Sequence, residues 1–178
     1  SANPQRGWVA VAAAILVAAF VLYVSKVEPV SPVVRQVEYA SARLPRGFEG
    51  FRIVQLSDLH LGSFALQPGV VRRIVEQVNA LNPQLILFTG DLVNRRSSEL
   101  APFLPVLSQL QATHGVYAVM GNHDYGDYYR WPSSDAKRNN LLQFKKMVAQ
   151  MGWHLLDNAH CFIHCGGDSI ALLGVENE

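Results

Sequence analysis

Three short segments carry side chains able to bind a metal ion or move a proton: Ser57-Asp58-Leu59-His60, Gly90-Asp91 and Gly121-Asn122-His123-Asp124. A carboxylate has two oxygens and a full negative charge, which suits Asp58 and Asp91 to hold or bridge cations. Asn122 offers a neutral oxygen, and the imidazoles of His60 and His123 can each act as ligand or as acid. Asp58 and His60 are two residues apart, so an extended backbone would project both to the same side. Asp91 follows a glycine, which lets the chain turn sharply and aim the carboxylate back over a sheet. Such a mixture of oxygen and nitrogen donors suits Mn, Fe, Zn or Co better than calcium, which prefers oxygen alone. Each segment by itself has a plainer explanation, since an aspartate after a strand often caps a helix and Gly-Asn or Gly-Asp often makes a turn. A set of caps has no need to place these residue types together at successive strand ends, and that joint pattern points to a site.

The elements that must position these residues follow a βα rhythm. Residues 52–57 form an apolar run of strand type, and 84–90 and 115–121 repeat it. Between and after them, residues 67–81, 97–112 and 137–151 carry apolar side chains at helical spacing. The tail is expected to form short strands over 153–156, 161–164 and 169–175, the last two joined by a Cys-Gly-Gly-Asp turn. Strands alternating with helices imply an α/β fold with a parallel sheet. Each of the three segments then falls at the carboxyl end of a strand, where open α/β sheets bind their ligands. Residues 33–40 form a further candidate strand ahead of these. A loop over 126–140 lies close to the site in sequence, with Arg130 and Lys137 available for phosphate or for solvent alike. His114 is placed most simply at a helix C-terminus.

Ahead of the βα unit, residues 7–25 contain no charged side chain and are bounded by Arg6 and Lys26. As a helix this run would span roughly 28 Å, near the ~30 Å hydrocarbon core of a bilayer. Trp8 and Tyr23 stand near its two ends, at the depth where aromatic rings favour the interface. A transmembrane helix is therefore expected. Lys26, Arg35 and Arg43 outnumber Arg6 across the span, which favours a cytoplasmic side for the remainder. The domain organisation expected is 1–26 for the N-terminal flank and span, 27–50 for a linker and first strand, and 51–178 for the catalytic-type domain. With a formal net charge of +1, no global field favours nucleic acid, and none is expected as a partner. Cys161 and Cys165 fall four residues apart on one strand, about 13 Å at strand rise, which is too far to pair with each other.

The blocks SDLHLG, FTGDLVN and VMGNHDYG resemble the first three signature blocks of the calcineurin-like metallophosphoesterases, and the apolar span with LPRGFEGFRIVQLSDLHLG resembles the membrane-associated branch. That resemblance covers residue 51 to the end. It implies an αββα sandwich of two facing sheets and a pair of divalent metal ions. Asp58 and His60 would hold one ion, Asp91 would bridge both, and Asn122 would bind the second. His123 would be the acid beside the leaving group, oriented by Asp124; Asn94 corresponds to no fixed position. The activity implied is hydrolysis of a phosphomonoester, phosphodiester or pyrophosphate by a hydroxide activated between two metals. The substrate could be lipid-linked, with membrane lipid at hand. The pattern continues in that family with an isolated histidine and a Gly-His-x-His block. His154, His160 and His164 lie in strand-like surroundings unlike either. The chain is accordingly expected to be truncated before the remaining ligands, and inactive by itself. A non-catalytic, membrane-tethered interaction module that keeps the fold is the rival expectation.

Overall fold

A computed structural model describes residues 8, 11, 13–21, 32–65 and 67–177 of the chain. It divides into two compact units, Ser1–Val33 and Val34–Glu178. In the first, residues 13–21 are helical, and Ile15, Leu16, Val17, Phe20 and Val21 are exposed. Much of the expected span over 7–25, and residues 27–31 of the expected linker, lie outside the described residues. Among the described residues, no helix is long and apolar enough to cross a membrane.

In the second unit, four parallel strands form one sheet in the order β1 (Ile53–Leu56), β2 (Leu85–Phe88), β3 (Val116–Ala118), β4 (His154–Leu155). Helix α1 (Pro68–Ala80) connects β1 to β2, a short α2 (Leu104–Leu107) precedes β3, and α3 (Ser134–Gln150) connects β3 to β4. The alternation of side chains along each strand separates two packed faces. Ile86, Phe88, Val116 and Ala118 face the main core, together with Val71, Ile74, Val75 and Val78 of α1 and Phe144, Met147 and Val148 of α3. Leu85, Leu87 and Tyr117 face the other way, towards Phe48, Phe51 and Ile163.

Ile163 belongs to a separate antiparallel pair, β5 (Ala159–Cys165) and β6 (Asp168–Gly174). Gly166 and Gly167, with φ of 58° and 86°, form its two-residue loop; positive φ at both positions matches the twist of a hairpin. The structure thus contains an α/β layer with a parallel sheet, and a two-stranded hairpin packed on the sheet's second face. Cys161 and Cys165 turn with Ile163 towards that interface, both as free thiols. The side chains that alternate with them, His160, Phe162 and His164, are exposed.

Three expected elements differ. Residues 33–40 form no strand, and Val33, Val37 and Tyr39 are exposed rather than packed. The single helix expected over 97–112 is broken into 3-10 turns at Ser97–Glu99 and Ala101–Phe103 followed by α2. Pro102 and Pro105 each begin a new turn there, because proline lacks the N–H that a continuing helix would use. With α2 ending at Leu107, His114 sits in the turn before β3, its ring 5.3 Å from Phe51, and not at a helix C-terminus. Helix α3 starts earlier than expected, because Ser133 caps it by accepting a hydrogen bond from the Ala136 N–H at 3.1 Å.

Candidate metal centre

The loops after β1, β2 and β3 meet at the carboxyl edge of the sheet, and backbone hydrogen bonds tie them together. Asp58 N–H donates to the Gly90 carbonyl at 3.0 Å, and His60 N–H to that of Asp91 at 3.1 Å. The third loop is locked to the second by Asp124, whose side chain is 1% exposed. One of its oxygens accepts from Asp91 N and Gly121 N, the other from Leu92 N and Val93 N, at 2.9–3.1 Å. Burial pushes this carboxyl up to about 6, with the Asp91 charge adding to the rise and the amide hydrogen bonds opposing it. The loops also touch where a side chain would intrude: a Cβ on Gly121 would fall 2.1 Å from Asp91 Oδ1.

The backbone that presents the donors is strained. Asp58, His60 and Asp91 have φ of 55°, 44° and 60°, three of the five non-glycine residues with positive φ among the described residues. Asp58 and His60 are therefore not on an extended segment, as their spacing suggested. Left-handed backbone at both residues, on either side of Leu59, rather than strand alternation, brings them together. His60 Nε2 lies 3.8 Å from Asp58 Oδ1 and 3.9 Å from Asp91 Oδ2. One donor atom each from His60, Asp91 and His123 lie within 4.8 Å of one another. Asn122 lines the same cleft as Asp58, Asp91 and Ser57, with a volume of about 300 Å³. The Asp91 carboxylate is half committed, since Oδ1 accepts the His123 N–H at 3.0 Å while Oδ2 is turned to His60.

A divalent transition ion fits this set. The donors mix imidazole nitrogen with carboxylate oxygen and converge from three separate loops, with His60 and Asp91 on left-handed backbone that costs energy to hold. His123, expected as an acid, is one of the three converging donors. Its Nδ1 is 2.7 Å from the Asn94 carbonyl, which requires the proton on Nδ1 and leaves Nε2 for a ligand or a transferable proton. Asn94, and not Asp124, is thus the group that orients this ring. A backbone carbonyl leaves no mark in a sequence, and nothing could have indicated it. Tyr128 was equally missed: its ring stacks on His123 and its hydroxyl accepts from Asn122 Nδ2. Of the two cations proposed for phosphate, Lys137 is paired with Asp127 and Arg130 is exposed. His154 stacks on Tyr117, and His160 and His164 lie on the outward side of the hairpin.

Residues 51–177 match the family model for calcineurin-like phosphoesterase. Over 151 residues the chain is 38% identical to a transmembrane protein with metallophosphoesterase domain from Danio rerio, a match covering 82% of this chain and 31% of that protein. Over 90 residues it is 40% identical to the UDP-2,3-diacylglucosamine pyrophosphatase LpxG of Chlamydia muridarum, covering 48% of this chain and 27% of that one. Among solved structures, the phosphopantetheinyl hydrolase PptH from Mycobacterium tuberculosis aligns with a TM-score of 0.44 and 21% identity, over 69% of this chain and 41% of that one. The chain spans less than a third of the length of these two curated relatives.

Proposed function

The chain belongs to the calcineurin-like phosphoesterase family, and on that premise we propose that the full-length protein is a membrane-anchored hydrolase of lipid-linked phosphate esters or pyrophosphates. The observation that carries the proposal is the convergence of Asp58, His60, Asp91 and His123 on one edge, the first three on left-handed backbone. Asp58, His60, Asp91 and Asn122 would hold two divalent cations of the Mn, Fe, Zn or Co type, with Asp91 shared. Bound there, such cations supply positive charge against phosphate oxygens and lower the pKa of water.

The chain's own residues do the rest. The His123 N–H fixes one Asp91 oxygen, so the carboxylate cannot swing away from His60. The Asn94 carbonyl keeps one proton on His123 Nδ1, so a second proton taken up at Nε2 is the one that can pass to the departing oxygen of the substrate, leaving the neutral ring. Asp124 holds the β2 and β3 loops at one separation. The lipid-linked substrate is supported by two features: the apolar run over 7–25, and the relative whose name describes a diacylated sugar nucleotide. The same run supports a membrane location, with the excess of basic residues after it favouring the cytoplasmic side.

The test is hydrolysis by the full-length protein with Mn²⁺ present, using bis-p-nitrophenyl phosphate and a diacylated sugar nucleotide as substrates. Metal-dependent turnover that falls at least ~100-fold in Asp91→Ala is expected. Turnover of neither substrate, with or without metal, would overturn the proposal.

A further inference from the structure

Residues 126–131 follow the Gly121–Asp124 segment and turn back on it, pinned by a hydrogen bond from Trp131 Nε1 to the Gly126 carbonyl at 2.6 Å. This brings Tyr128 against two residues of the centre at once. Its ring lies on the His123 ring with centroids 4.2 Å apart and planes 18° from parallel. Its hydroxyl accepts from Asn122 Nδ2 at 2.7 Å. Yet Tyr128 is 55% exposed, so packing of the core does not account for its position.

Both contacts act on orientation. An asparagine amide has an oxygen end and an NH₂ end, and only the oxygen can serve a cation. By taking the NH₂ end, the phenol leaves the oxygen of Asn122 for the cleft. A cation on that oxygen would polarise the amide N–H, so the contact to Tyr128 and the contact to metal reinforce one another. For His123, the Asn94 carbonyl fixes one ring nitrogen but not the tilt of the ring, and the flat face of Tyr128 supplies the missing constraint.

We propose that Tyr128 is a further positioning residue of the centre, setting the plane of His123 through its ring and directing the oxygen of Asn122 through its hydroxyl. The inference rests on the metal-centre assignment above. Its test is calorimetric titration of the full-length protein with Mn²⁺, for wild type, Tyr128→Phe and Tyr128→Leu, with metal-free melting temperature measured alongside.

Tyr128→Phe keeps the stack and loses the acceptor, and is expected to weaken Mn²⁺ binding roughly tenfold with the metal-free melting temperature unchanged. Tyr128→Leu also loses the stack, and at saturating Mn²⁺ its kcat falls while KM holds. A Tyr128→Phe protein that binds Mn²⁺ like wild type, or a loss of affinity matched by a loss of melting temperature, would overturn the role of Tyr128. A wild-type protein that binds no Mn²⁺ would overturn the metal centre itself, which is a separate outcome.

Discussion

Asp58, His60 and Asp91 each occupy a left-handed backbone conformation that costs a side-chain-bearing residue on the order of 1–3 kcal/mol. Such a cost persists only where the surroundings enforce it, and Asp124 is the residue that does so for Asp91. Its carboxylate accepts four backbone N–H groups, two on each oxygen. Asparagine could satisfy only one pair and would turn its own NH₂ against the other. Asp124→Asn is therefore expected to lower the stability of the metal-free protein by about 2–4 kcal/mol, as buried donors lose their acceptor; urea unfolding measures it.

The same carboxyl has a pH signature. Its folded value is raised to about 6 from the ordinary 3.8, so the folded state holds this proton more tightly than the unfolded one. Its contribution is complete below pH ~4 and is lost as pH rises through ~6, about 3 kcal/mol in all. Metal-free wild type should therefore gain stability relative to Asp124→Asn as pH falls from 7 to 5. A difference independent of pH across that range would contradict the assignment.

At the scale of elements, the site depends on how closely the β2 and β3 loops approach. Gly121→Ala would drive a methyl group into the Asp91 carboxylate. Mn²⁺ affinity, read by titration calorimetry, is expected to fall by at least about tenfold. The strands β1, β2 and β3 and helices α1 and α3 were legible in the sequence, because apolar periodicity records which side faces the core. Asp58, Asp91 and Asn122 line one cleft, because parallel strands place their carboxyl ends along one edge. Pro102 and Pro105 mark the break in the chain itself, although the apolar spacing of residues 97–112 runs across it. The left-handed turns at Asp58 and His60 were not legible, since neither residue type requires positive φ. Nor were the contacts to His123: one uses a backbone carbonyl, and the other depends on how a loop folds back. Residues 33–40 show the limit of strand propensity, because a β-branched run needs a partner before it becomes a strand.

For the molecule as a whole, the apolar run over 7–25 and the phosphoesterase unit make separable claims. Deleting residues 7–25 from the full-length protein is expected to move it from the membrane to the soluble fraction on sedimentation. Turnover of the water-soluble diester should stay unchanged, because no residue of the centre lies in that segment. Retention in the membrane fraction after the deletion would show that another part of the protein binds lipid. The parallel sheet presents its site on one edge and carries the β5–β6 hairpin on the face away from the helices, so the donors are held by loops from three strands and not by any one loop. The most direct measurement is a crystal of the full-length protein soaked in Mn²⁺, with data collected for anomalous scattering. Anomalous density is expected within bonding distance of Asp58, His60, Asp91 and Asn122. Manganese bound elsewhere, with these four side chains free of it, would contradict the metal-centre assignment.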